Sequence, residues 1–383
     1  MLIILGVVLL ISLVIVHELG HFWAARRAGI AVEEFGLGFP PRAKVLTEKN
    51  GTKYTLNWLP LGGFVKLKGE HDSDTTKGSF GAASLTHKVQ VMVAGVIMNV
   101  LAAIVLLSII AAVGIPKVLP GQFSVPSDTK VIQHDVVIVV QPGSPADKAG
   151  LKGGDKILSI YDKTCGGQCI DKIEASEDLK PITKKLAGKE VVVVYNEAGK
   201  EYQDDYEHSY ASVTLLSEEE VQASKNTDEP KGYLGVIPSD YIKQRSTWSA
   251  PLVGAATTGQ FFWETLKGLG GIIADLFQGQ GSQAKEQVTG VVGIGYVLNE
   301  LAKQGFMSVL FLTAIISVSL AVMNILPIPA LDGGRLFVTL LFRLLRKPLN
   351  KDVEERIHGT GFALLMMLFL LITVFDVQRF IIN

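Results

Sequence analysis

His17, Glu18 and His21 stand together as HELGH inside the run VVLLISLVIVHELGHFWAARR, residues 7–27. On a helix, residues four apart lie one turn apart on one face, so both imidazoles could ligate a single ion. Glu18 projects beside them, where it could take a proton from a water whose pKa a metal lowers toward about 7. A pair of satisfied buried histidines would show the same spacing without any metal. The setting weighs against that, because an ionisable side chain near the middle of a bilayer costs about 2.5–3.5 kcal/mol and metal ligation offsets the cost for the group as a whole. A catalytic zinc takes three protein ligands and a water, so a third ligand is required. NILPIPALDGGRL, residues 324–336, offers Asp332 between apolar residues and a glycine pair, after two prolines that break a helix. Irregular backbone at membrane depth is tolerated where it lines a cavity. Asp332 could complete the site; its plainer reading is a turn or helix N-cap aspartate.

These residues need elements to hold them. The chain has 383 residues, a mean hydropathy of +0.34 and a net charge of −1. That is a mixed membrane and soluble composition, with no basic field to suggest a nucleic-acid partner. Four stretches reach the roughly 20 apolar residues of a membrane span, at about 2–24, 89–113, 307–326 and 359–380, the last interrupted late by Asp376. No basic segment precedes the first, and it runs into HELGHFWAARR instead of a cleavage site, so it reads as a retained helix. Arg26 and Arg27 follow the first span, and Arg335, Arg343, Arg346, Lys347, Lys351 and Arg356 lie between the third and fourth. The positive-inside rule puts both sets in the cytoplasm and both termini outside.

Four regions follow. Residues 1–114 hold two spans and, at 30–88, a segment of short strands and tight turns. Residues 115–245 have a soluble composition and lie on the outer side. Residues 246–306 form a helical linker, in which Phe262, Leu266, Leu269, Ile273 and Leu276 recur at amphipathic spacing. Residues 307–383 hold the last two spans. Within the outer region, SPADKAGLKGGDKILSI resembles the corresponding stretch of PDZ domains, which bind extended peptide at a sheet edge; a plain β-rich domain without a ligand is the alternative. Cys165 and Cys169 form either a small disulfide or two free thiols, since no further ligands suggest a zinc ribbon.

HELGH on the first span, the PDZ-like insertion after the second and NILPIPALDGG at the end of the third resemble the site-2 protease family, of the bacterial RseP type. EEFGLGFPPR, PLGGFVKLKGE and AGVIMNVLAA extend the similarity over nearly the whole chain. The resemblance implies a polytopic α-helical membrane protein with four transmembrane helices, a membrane-associated β element and an inserted extracytoplasmic PDZ-like α+β domain. It implies His17, His21 and Asp332 as ligands of one Zn2+ per chain, and Glu18 as general base. It places Asn324 and Asn99 near substrate or the oxyanion, interhelical hydrogen bonding being the alternative for both. Gly62, Gly63, Phe64 and Val65, in GGFVKL, match an element that presents substrate as an added strand, a structural hairpin being the alternative. Two departures stand out: the outer region has room for a single PDZ domain where many relatives have two, and TGVVG at 289–293 has Val291 where relatives carry proline.

The expected protein is a zinc intramembrane endopeptidase of a bacterial inner membrane. Its substrates would be single-span proteins already trimmed outside, such as anti-sigma-factor-like proteins or remnant signal peptides. A metal transporter would need several intramembrane ligand sites, and a catalytically silent PDZ scaffold would have no use for Glu18 between two histidines.

Overall fold

The computed structural model describes residues 1–165, 169–200, 207–225, 230–278 and 288–382. In chain order the elements are α1 Leu2–Arg27, β1 Val32–Lys49, β2 Thr52–Leu67, α2 Leu85–Val113, β3 Ile115–Pro116, β4 Lys130–Val140, α3 Pro145–Lys148, β5 Lys156–Asp162, β6 Ile170–Lys172, α4 Leu179–Lys185, β7 Glu190–Asn196, β8 Ser209–Thr214, α5 Glu218–Ser224, β9 Val236–Arg245, α6 Ala250–Phe277, α7 Val291–Lys303, α8 Phe306–Ile325, α9 Asp332–Leu344 and α10 Lys351–Val377. They form two compact units, residues 1–110 with 250–383, and residues 111–249.

In the first unit, α1, α2, α8 and the stretch Lys351–Ile382 are, among the described residues, the helices long and apolar enough to cross a membrane. α2 shows how such a helix divides its surface. Ile97, Leu101, Val105 and Ile109 form an exposed stripe at a spacing of four, while Ala103, Leu107, Ile110 and Ala111 are buried. An apolar stripe of that length would be a liability in water and is the natural surface toward lipid. Three helices are longer than the spans expected from hydropathy: α1 continues to Arg27, α2 begins at Leu85 and α10 begins at Lys351. Polar turns extend them, and hydropathy registers the apolar length only. Asp376, buried in α10, accepts hydrogen bonds from the backbone N–H groups of Gly290 and Gly293 at 3.2 and 2.8 Å. It therefore supplies acceptors to the otherwise unpaired amides at the start of α7.

The hairpin β1–β2 folds back on itself. Residues 34–37 pair on one side with 53–56 and on the other with 63–66, and 44–49 add to the outer side of 52–56. The order across the sheet is thus 62–67, 32–39, 52–59, 42–49, which leaves 62–67 as an edge strand. Glu34 is buried at the centre. Burial raises its pKa, but hydrogen bonds from Thr55 and Arg42 outweigh this and hold the carboxyl below the usual range.

The second unit is a sheet of order β3–β9–β4–β5–β7–β8, with β6 paired to β5. Its core includes Val136, Ile138, Ile157, Ile160, Val191, Val193 and Leu234. Ser144 caps the short α3, with Pro145 at its first position. The turn before β4 and the stretch after β9 are joined through Asp128. Burial raises its pKa, but the hydroxyls and amides of Ser249 and Thr247 outweigh this and hold it well below the usual range. β7 and β8 pair antiparallel, from Glu190 opposite Thr214 to Tyr195 opposite Ser209. Cys165 and Cys169 form a disulfide.

Candidate active site

α1 carries His17, Glu18 and His21, and the first residue of α9 is Asp332. α8 ends at Ile325, and the stretch carrying Pro327 and Pro329 turns back so tightly that its carbonyls lie against the start of α9. A Cβ at Gly333 would sit 2.3 Å from the carbonyl oxygen of Ile325, and one at Gly334 1.9 Å from that of Ile328. Only glycine fits this approach, which explains why the acidic residue is followed by a glycine pair.

Three donor atoms converge. Nε2 of His17 lies 3.2 Å from Nε2 of His21, and Oδ2 of Asp332 lies 3.0 and 3.1 Å from the two nitrogens. Nδ1 of His21 is 2.8 Å from the carbonyl oxygen of Val91, to which it donates. With the ring neutral, its Nε2 offers a lone pair toward a carboxylate oxygen, an arrangement of two acceptors that a shared cation relieves. Tetrahedral zinc with bonds of about 2.0–2.1 Å separates its ligands by about 3.3 Å. The observed triangle matches one face of that tetrahedron, and two nitrogens with one carboxylate oxygen are a zinc donor set.

α2 closes the back of the site. A Cβ at Gly95 would come within 2.5 Å of Cε1 of His17 and Nε2 of His21, so the histidine face of α1 can rest against α2 only where a side chain is missing. At the front, a cavity of about 180 Å3 is lined by His17, Glu18, His21, Asp332, Phe64 and Val65, together with Glu70 and Arg335. The Val65 amide is within hydrogen-bonding reach of Glu18, and a Cβ at Gly63 would lie 3.4 Å from Glu18 Cγ. The edge strand therefore runs directly past the candidate base.

Of the residues singled out in the sequence, the two histidines, Glu18, Asp332, Gly63, Phe64 and Val65 come together. Gly62 is the next residue along the same strand. Asn99 lies behind His17 and is fully buried, and Asn324 occupies the last turn of α8, half-buried and outside the cavity lining. Sequence reasoning missed Gly95, the Val91 carbonyl, Glu70 and Arg335. The Arg335 guanidinium stacks on Phe80 with 4.8 Å to the ring centroid and donates to the Glu70 carbonyl, tying α9 to the chain just beyond the edge strand. Its signal was available, three residues after Asp332 on the same helix; a backbone carbonyl leaves none.

The sequence profile of Peptidase family M50 matches residues 5–368. The chain belongs to that family, the site-2 protease family. Among its M50 relatives, a protein of Campylobacter jejuni named "Putative zinc metalloprotease" is 30% identical, with 98% of this chain and 94% of the relative covered. One of the same name from Nostoc sp. is 33% identical over 94% and 92% of the two chains. Zinc metalloprotease RasP of Geobacillus kaustophilus is 27% identical, with 96% of each chain covered.

Proposed function

We propose that this M50 zinc metalloprotease cuts single-span membrane proteins within their apolar segments, with His17, His21 and Asp332 holding one zinc ion and Glu18 acting as general base. The reading is carried by the triangle of donors 3.0–3.2 Å apart beside a carboxylate, on helices long and apolar enough to span a membrane. When bound, zinc supplies a Lewis acid that polarises the scissile carbonyl and acidifies water. Glu18 removes a proton from the attacking water and delivers it to the leaving amine. A helical substrate hides its peptide bonds and must unwind to be cut. The edge strand offers backbone to such an unwound segment, which would add as a further strand along Gly62, Gly63, Phe64 and Val65. Leu67 limits that pairing, because its amide already donates to Glu70 Oε1 at 2.8 Å.

Residues 111–249 fit a PDZ-like extracytoplasmic domain: a strand, a Ser-capped short helix, a second strand and a disulfide suited to an oxidising compartment. There it would admit substrates already trimmed on the outer side, anti-sigma-factor-like proteins or remnant signal peptides. The protein then resides in a bacterial inner membrane with both termini outside. Reporter fusions near residue 180 should read as outside and those near residue 350 as inside, and the opposite result would overturn this topology.

The activity itself is tested with purified protein in detergent and a trimmed single-span protein. Mass spectrometry should locate the cut inside the apolar segment, and a zinc chelator should abolish it. Cleavage only in flanking soluble sequence, or full cleavage under chelation, would remove the proposal.

A further inference from the structure

Asn99 stands on α2 at the level of the donor triangle, with no exposed surface. Its side-chain amide lies 3.3 Å from Nδ1 of His17, the ring nitrogen opposite the one that faces Asp332. The amide nitrogen points at the ring, and the buried amide oxygen has no hydrogen-bond partner. A histidine that offers Nε2 to a metal carries its hydrogen on Nδ1. Two donors would then face each other while a buried acceptor stays unpaired, which costs free energy on both counts. Half a turn of the amide exchanges its two nearly isosteric ends and removes both conflicts.

We infer that Asn99 is a positioning residue whose Oδ1 accepts the Nδ1–H of His17, fixing the tautomer and ring plane that present Nε2 to the metal. The inference rests on the zinc reading above. His21 shows the matching arrangement, with the Val91 carbonyl taking its Nδ1–H at 2.8 Å. Val91, Gly95 and Asn99 are spaced four apart, so one stripe of α2 provides an acceptor for each imidazole and a gap between them. The stripe is anchored in turn, because Ser317 Oγ on α8 donates to the Asn99 carbonyl oxygen at 2.8 Å. A substrate or oxyanion contact would require Asn99 to reach the cavity, whereas it lies behind His17 and outside the lining.

Partners that orient metal-ligating histidines typically contribute 10- to 100-fold to metal affinity. The test uses the full-length protein in detergent, with zinc affinity measured by competition against a chromophoric chelator and the visible spectrum recorded after loading with Co2+. Asn99→Leu, which removes the acceptor at similar size, should bind zinc about 10- to 100-fold more weakly and alter the cobalt bands. Asn99→Asp keeps an oxygen acceptor and should stay within about threefold of the parent. Unchanged zinc affinity in Asn99→Leu with a raised KM would make Asn99 a substrate contact and overturn the inference. Weakening in Asn99→Asp equal to that in Asn99→Leu would also overturn it. Should Asn99→Leu fail to fold, Asn99→Asp still decides, because an amide that donates to His17 cannot be replaced by a carboxylate without loss. A parent protein that binds no zinc would defeat the site assignment itself, whereas failure of the variants alone would leave that assignment standing.

Discussion

Glu18→Gln should leave a folded protein that still carries about one zinc per chain and should lower cleavage by about 10²–10⁴-fold or more. The substitution keeps size and hydrogen-bonding capacity and removes the proton acceptor. Glu18 follows His17 directly, so its side chain leaves α1 at a different angle from the two imidazoles, and it belongs to the cavity wall instead of the donor triangle. Neighbouring groups cannot substitute for it: Asp332 is committed to the triangle, and Glu70 accepts from the Leu67 amide. The Val65 amide that reaches Glu18 can bond to a glutamine oxygen as well, so the edge strand should keep its place. Zinc by elemental analysis and product by gel on the same purified sample make the measurement. Full cleavage by the variant would remove the mechanism, and loss of zinc would make Glu18 a ligand instead of the base.

How much of this was legible beforehand depends on which atoms carry the information. HELGH declares itself because two histidines at helical spacing in an apolar run have few other reasons to be there. Asp332 was legible for a related reason: two prolines and a glycine pair announce a break in a span, and a break at that depth needs something to line. The structure adds that each glycine of the pair makes room for a specific carbonyl. What the sequence hid was everything contributed by backbone or by absence. The Val91 carbonyl has no side-chain signature, and Gly95 reads as an ordinary small residue in a membrane helix until the imidazoles are seen against it. The double pairing of residues 34–37 was hidden too, because strand period and turn residues do not say how often a hairpin folds over. Asp376 was visible as an interruption but not as a cap, since its partners Gly290 and Gly293 lie more than eighty residues away in the chain.

Asp332→Ala and His21→Ala should lose zinc and cleavage together, which sets them apart from Glu18→Gln. A three-ligand site that loses one donor retains two, and two donors do not hold zinc against water and chelator. The effect should also appear without any substrate. A metal that binds only the folded state adds stability in proportion to the logarithm of its concentration over its dissociation constant, about 2.7 kcal/mol at a hundredfold excess. Stripping zinc from the parent should therefore lower its Tm, whereas the same chelator should leave the Tm of Asp332→Ala where it was. Gly95→Leu supplies an independent route to the same phenotype, because its Cβ alone would come within 2.5 Å of both imidazoles without removing a ligand. It should expel the metal while His17, His21 and Asp332 are all present. Normal zinc content in Asp332→Ala, with a Tm still sensitive to chelator, would show that the third donor lies elsewhere and that the 3.0 and 3.1 Å approaches of its carboxylate to the histidines serve only to join α9 to α1.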